Sequence, residues 1–87
     1  MAGYALFLHP RAERELDGLP DAAFKRIDRE IRALGEIPRP FGVKKLDGNL
    51  YRIRIGDWRV IFAILDKERR VVILRIARRS EKTYRKL

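Results

Sequence analysis

Three arginines in one short stretch are the residues best suited to chemistry in this chain. In LYRIRIGDWRVIFAIL, Arg52 and Arg54 precede the dipeptide Gly56-Asp57 and Arg59 follows it. A guanidinium group stays charged and can hold two phosphate oxygens through its fixed fork of donors. We therefore expect these side chains to bind a phosphate or another anion.

A predicted β-hairpin positions the arginines. Alternating side chains flank Gly56-Asp57, and glycine readily adopts the positive φ that a two-residue turn requires. If Ile55 lies opposite Trp58, then Arg54 lies opposite Arg59, and the repulsion between them favours an anion at this place. The same alternation predicts an apolar face made of Tyr51, Ile53, Ile55, Trp58, Val60, Phe62 and Ile64. Trp58 is thus expected in the core or at its rim.

Composition narrows the class of protein. The chain has 87 residues, a net charge of +9 and no cysteine. The length fits a single domain over residues 1–87, and the charge favours a polyanionic partner, nucleic acid first, over a merely basic soluble surface. Apolar runs are far shorter than the roughly 20 residues of a membrane span, and no signal-peptide block opens the sequence. We expect a cytoplasmic protein without a membrane partner.

Two amphipathic helices are predicted before the hairpin. An apolar run, Gly3 to Leu8, predicts a buried strand, and Pro10 suits the first turn of the helix that follows. The stripes expected to face the sheet are Ala12, Leu16 and Leu19 in the first helix, and Ala23, Phe24, Ile27, Ile31 and Leu34 in the second. Asp21 and Gly35 are the predicted N-cap and C-cap of the second helix.

The remaining segments complete the predicted fold. Prolines make residues 37–42 a fixed connector, and Lys44 and Lys45 after it are either surface charge or a supplementary phosphate contact. Residues 70–77 predict a third strand of a meander. If the loop before this strand holds an even number of residues, Val71, Ile73 and Arg75 share the face of Trp58, whereas a bulge in the loop exchanges the faces and puts Arg75 near Arg59. We prefer the second register because it keeps Arg75 out of the core. A short basic tail or helix then contains Tyr84. The expected fold is α+β, with the order β-α-α-β-β-β: a small twisted antiparallel sheet with a helical hairpin on one face.

The chain resembles the RelE/ParE superfamily of toxins from toxin–antitoxin systems over nearly its full length. The resemblance rests on the charged helical hairpin, the Pro-x-Pro connector, the run KKL, the hairpin YRIRIGDWRVIF and the closing RIARRSEKTY. It implies a toxin that is neutralised by a cognate, RelB-like antitoxin. RelE-like members cleave mRNA on the ribosome, whereas ParE-like members poison DNA gyrase.

The basic residues match the RelE-like pattern, which implies an mRNA interferase. The pattern has basic residues before the turn, an arginine after it, an arginine at the end of the last strand and a tyrosine near the C-terminus. The implied catalytic residues are Arg52, Arg54, Arg59, Arg79 and Tyr84, with Arg78 as the alternative to Arg79. The implied RNA-binding residues are Lys44, Lys45, Arg75 and Arg78. A gyrase poison and a non-catalytic nucleic-acid-binding module are the alternatives.

Cleavage of RNA through its own 2′-OH agrees with this set of residues. Arginine stabilises the negative charge of the phosphorane but is a poor general base, because it is effectively always protonated. Tyr84 could transfer a proton or stack on a base. His9 lies away from the arginines, and no cluster of Asp, Glu and His accompanies them. We therefore expect a mechanism without a metal or another cofactor.

Overall fold

Two helices and five strands make up the described part of the chain. The computed structural model describes residues 3–78. In chain order the elements are β1 (Ala5–Leu8), α1 (Pro10–Asp17), α2 (Asp21–Glu36), β2 (Lys44–Asp47), β3 (Leu50–Ile55), β4 (Trp58–Leu65) and β5 (Arg70–Arg78). No helix in this part of the chain is long and apolar enough to cross a bilayer.

The strands form one sheet in the order β1-β5-β4-β3-β2. The predicted α+β class and the order of the predicted elements are confirmed, with two differences. Lys44 and Lys45 belong to an additional edge strand, β2, which pairs with β3. The sheet is also mixed, because β1 runs parallel to β5 while the other pairs are antiparallel. The helical hairpin and the meander supply the long connection that a parallel pair requires.

The core lies between the helices and one face of the sheet. Ala12 and Leu16 of α1 and Ile27, Ile31 and Leu34 of α2 are buried, as their spacing predicts. The sheet contributes the predicted apolar face of the hairpin, together with Val71, Ile73 and Ile76 of β5. Trp58 is half-buried and packs against this cluster, which agrees with its expected place at the rim.

The ends of the helices differ in detail from the sequence pattern. His9 caps α1, with its Nδ1 accepting a hydrogen bond from the backbone N–H of Arg11 at 3.1 Å. Asp21 is the first residue of α2 and not its cap. Gly35 lies inside α2, where its carbonyl accepts a bond from the Tyr4 N–H at 2.7 Å. A Cβ on Gly35 would lie 3.2 Å from the Tyr4 carbonyl oxygen, so this glycine permits close packing of the helix against the start of β1.

A polar network fastens the connector to the end of the sheet remote from the Gly56-Asp57 turn. Arg39 donates to both carboxylate oxygens of Asp66, at 3.2 and 2.8 Å, and to the Tyr51 hydroxyl at 3.0 Å. The Tyr4 hydroxyl donates to Asp66 at 2.8 Å. These bonds, first that from Arg39 and then that from Tyr4, hold the pKa of Asp66 below its ordinary value.

Candidate nucleic-acid interface

The arginine pair lies where the sequence places it. Arg54 and Arg59 are direct cross-strand partners, next to the pair Ile55 and Trp58 that closes the hairpin, and the predicted register of the whole hairpin is confirmed. Gly56 has a φ of 61°, as the turn requires. Arg54 is exposed and Arg59 is half-buried. Both side chains therefore occupy the sheet face opposite the helices, which we call the arginine face.

The sheet register arranges the arginine face in rows across the strands. One row runs from Lys44 on β2 through Arg52 and Ile61 to Arg75 on β5. The next row, closer to the turn, comprises Arg54, Arg59 and Ala77. Lys44, Arg52, Arg54 and Arg59 thus share one face of three neighbouring strands, which is a surface suited to a phosphate backbone.

The middle of the arginine face is apolar. Ile61 and Ala77 are each 4% exposed, although they lie outside the core cluster on the other side of the sheet. Coulombic attraction strengthens where water is excluded, so a phosphate held against this patch would interact more strongly with the neighbouring guanidinium groups. The arginine face therefore combines positive charge with a buried apolar patch.

A bulge in β5 brings Arg75 to the arginine face, so the predicted face of Arg75 is confirmed, but the bulge lies within the strand and not in the β4–β5 loop, where it was predicted. Ile73 pairs with Phe62 and Arg75 pairs with Ile61, so Leu74 is the extra residue between them. Val71 and Ile73 remain in the core, and the alternation changes faces at the bulge.

Arg75 forms an ion pair with a carboxylate that sequence reasoning did not identify. Glu15 of α1 accepts bonds from Arg75 Nε and Nη2, each at 2.9 Å. The other carboxylate oxygen of Glu15 accepts the backbone N–H of Ile76 at 2.8 Å. Glu15 lies on a helix of mixed charge, so nothing in its spacing separates it from a solvated residue.

Other predicted residues lie elsewhere. Arg78 pairs with Trp58 and so occupies the helix side of the sheet, where its guanidinium lies 4.9 Å from the centre of the Trp58 ring. Lys45 pairs with Tyr51, which puts it on the helix side as well. Arg79 and Tyr84 lie outside the described residues. Across residues 3–78, no three carboxylate or imidazole side chains come together as metal ligands would.

Comparison with known proteins identifies the family. Residues 6–83 match the family model described as the ParE toxin of the type II toxin–antitoxin system parDE. The chain belongs to the RelE/ParE toxin superfamily. The RelE1 protein of Methanocaldococcus jannaschii is 35% identical over 78 residues, which cover 84% of this chain and 87% of that protein.

Two solved RelE structures show the same fold as this RelE/ParE family member. The RelE chain of the archaeal RelE–RelB complex from Pyrococcus horikoshii superposes with a TM-score of 0.83 at 32% identity, covering 92% of this chain and 99% of that one. A chain of the toxin–antitoxin complex RelBE2 of Mycobacterium tuberculosis superposes with a TM-score of 0.78 at 26% identity, and the match covers 90% of this chain and 100% of that one. The chain is therefore a RelE-like toxin of a toxin–antitoxin system.

Proposed function

We propose that this toxin is a ribosome-dependent endoribonuclease that cleaves mRNA by attack of the 2′-OH on the adjacent phosphate, without a metal. The observation that supports this most is the direct pairing of Arg54 with Arg59 on the sheet face opposite the helices, with Arg52 and Lys44 in the adjoining row. Two like charges held opposite one another are stabilised by an anion between them. A scissile phosphate is such an anion.

The proposed chemistry assigns charge stabilisation to the arginines. Arg54 and Arg59 hold the non-bridging oxygens of the scissile phosphate and stabilise the additional negative charge of the phosphorane. Arg52 and Lys44 bind the neighbouring backbone, whereas Arg75 is held by Glu15 and is not assigned to the RNA. Arg79 and Tyr84 complete the set predicted by family resemblance, with the tyrosine available to transfer a proton or to stack on a base.

An antitoxin is the proposed protein partner. The solved relatives from P. horikoshii and M. tuberculosis are complexes of RelE-type toxins with RelB-type antitoxins. We infer that a RelB-like protein with an acidic or amphipathic segment binds this chain, because the net charge of +9 favours an acidic partner. Action on ribosomes would place the toxin in the cytoplasm.

The test is translation in vitro on a defined mRNA, with cleavage mapped by primer extension. The native toxin is expected to cut at defined positions only when ribosomes are present, and Arg59→Ala is expected to lower the cleavage rate by about 100-fold or more. Lys67→Gln, in the β4–β5 loop at the other end of the sheet, is the matched control and should cleave normally. Intact mRNA with the native toxin would refute the proposal.

A gyrase poison is the second candidate, because the matching family model carries the ParE description. This function predicts intact mRNA together with trapped gyrase–DNA complexes. The same toxin preparation, incubated with gyrase and supercoiled DNA, separates the two functions.

A further inference from the structure

A cleft lies on the helix side of the hairpin turn, behind the arginine face. It has a volume of about 270 Å³ and separates the first turns of α2 from the Gly56-Asp57 turn. Ala22, Ala23 and Ile27 line its helix wall with small or apolar groups, and Trp58 lines the sheet wall. The size and the flat aromatic wall suit one nucleotide better than an extended peptide.

Two arginines lie beside the cleft, and neither is paired with a carboxylate within residues 3–78. Arg26 lines the cleft and is exposed, and within residues 3–78 its guanidinium has no ion pair and no hydrogen bond. On the same helix Arg32 is paired with Asp28 at 2.9 Å, whereas Lys25, Arg26 and Arg29 have no ion pair within the described residues. Arg78 lies over the Trp58 ring, which is neutral and leaves the charge of the guanidinium in place.

The cleft and the arginine face lie on opposite sides of the same turn. A Cβ on Gly56 would lie 3.0 Å from Arg26 Nη1, so the guanidinium rests directly against the turn that joins Arg54 to Arg59. Because Gly56 presents no side chain, Arg26 can lie this close to the turn, where it would contact a strand that passes by. Arg26 and Arg78 on one side and Arg54 and Arg59 on the other thus surround the same turn. Asp57 is the acidic residue that lines this cleft.

We propose that the cleft binds a ribonucleotide of the same single strand whose phosphate reaches Arg54 and Arg59. The strand passes over Gly56, its next phosphate contacts Arg26 and Arg78, and its base packs against the accessible part of Trp58 and the apolar wall of α2. This inference rests on the proposed function, since it extends the RNA path from the arginine face. Arg26 and Arg78 have no carboxylate partner among residues 3–78 and lie across the turn from Arg54 and Arg59, which favours RNA over a protein segment.

The experiment compares two fluorescent RNA oligonucleotides, a trinucleotide and an octanucleotide, by anisotropy at low ionic strength without ribosomes. Arg26→Gln is expected to weaken binding of the octanucleotide by roughly tenfold and to leave the trinucleotide unchanged, because only the longer strand reaches the cleft. Arg29→Gln, on the same exposed side of α2 but outside the cleft, should alter neither. Asp57→Asn should tighten octanucleotide binding by relieving repulsion of the phosphate.

The outcomes separate this inference from the proposed function. If Arg54→Gln weakens both oligonucleotides while Arg26→Gln weakens neither, the cleft proposal is overturned and the arginine face remains the RNA site. If neither substitution weakens either oligonucleotide, the cleft and the arginine face both fail as sites for single-stranded RNA, and the cleavage assay on ribosomes then decides the proposed function separately. If Arg26→Gln lowers affinity for the antitoxin and not for RNA, the cleft binds the protein partner and the proposal is overturned. Circular dichroism checks that each variant is folded.

Discussion

Arg54 and Arg59 are direct cross-strand partners, and like charges opposite one another on neighbouring strands repel. An aromatic or apolar pair at the same place would stabilise the sheet. Because Arg54 is exposed, water screens part of the repulsion, and a phosphate bound beside the pair would be attracted by both charges.

Removing one member of the pair should stabilise the fold. We expect Arg54→Gln to raise the free energy of unfolding by about 0.2–0.5 kcal/mol, since the cross-strand repulsion disappears. The measurement is urea denaturation at low and high salt, and the gain should shrink as salt screens the charges. Lys67→Gln in the β4–β5 loop is the control for the loss of one positive charge. A lower stability of Arg54→Gln at low salt would contradict the prediction.

At the scale of the elements, a side chain of α1 provides a hydrogen-bond acceptor for β5 beyond the end of β1. The His9 N–H donates to the Ile73 carbonyl at 2.9 Å, and the chain then leaves the sheet to begin α1. Beyond that place, Glu15 accepts the Ile76 N–H at 2.8 Å, so a side chain supplies the acceptor that a longer β1 would have provided. Glu15 thus holds the part of β5 that follows the bulge.

Removal of the Glu15 side chain should lower the free energy of unfolding more than is usual for a residue on a helix surface. Glu15→Ala is expected to lower the free energy of unfolding by about 1–3 kcal/mol, because the Ile76 N–H and the half-buried Arg75 lose their acceptor. Glu13→Ala, exposed on the same helix, should cost only about 0.5 kcal/mol. Thermal and urea denaturation measure both. Equal losses in the two variants would contradict the role given to Glu15.

Arg39 of the connector between α2 and β2 binds the Asp66 carboxylate as well as the Tyr51 hydroxyl. Protonation of this carboxylate should weaken the attachment of the connector at low pH. The pKa of Asp66 is lowered in the folded state by the bonds from Arg39 and Tyr4. Because the pKa is lowered in the folded state, the unfolded chain takes up the proton first as pH falls. The contribution of Asp66 to stability is therefore fully present above the ordinary pKa of 3.8. It is lost as pH falls through the lower pKa of the folded state.

Stability measured against pH should reveal this contribution. We expect native protein to be more stable than Asp66→Asn at neutral pH, and the difference should disappear as pH falls below about 3.8. The stability of Arg39→Gln should also depend less on pH than that of the native protein, because this substitution removes the main partner of the Asp66 carboxylate. Urea midpoints between pH 7 and pH 2 give the comparison. A constant difference across this range would contradict the prediction.

At the scale of the whole molecule, positive charge collects around one end of the sheet. Arg26, Arg54, Arg59 and Arg78 surround the hairpin turn. At the other end, Asp66 and Glu68 offset part of the charge of Arg39, Lys67, Arg69 and Arg70. Charge that carboxylates offset less attracts a polyanion more strongly during encounter, and at the turn Asp57 is the acidic residue that lines the cleft.

The salt dependence of RNA binding should follow this distribution. For single strands, the slope of log affinity against log salt is about −0.7 for each phosphate contact. Arg54→Gln is therefore expected to flatten the slope for the octanucleotide by about 0.7, and Lys67→Gln should leave it unchanged. Anisotropy titrations at several salt concentrations measure both. Equal changes would mean that net charge, and not its placement, governs binding.

The sequence by itself determined the hairpin, its register and the helices. These features depend on local rules: the alternation of a strand, the spacing of a helix stripe, and a glycine at a two-residue turn. They were sufficient to pair Arg54 with Arg59 and to place Trp58 at the rim of the core. The cost of burying a charge predicted the face of Arg75, but it did not place the bulge at Leu74, where Val71 and Ile73 can stay in the core.

Only the tertiary structure decided which distant groups meet. The parallel pairing of β1 with β5 and the extra strand β2 depend on how the ends of the chain return to the sheet, and short polar strands such as KKLD carry little signal. Glu15 and Arg26 look like ordinary helix-surface charges, yet one binds β5 and the other rests against Gly56. Their roles arise from contacts 61 and 30 residues apart along the chain, which periodicity cannot encode.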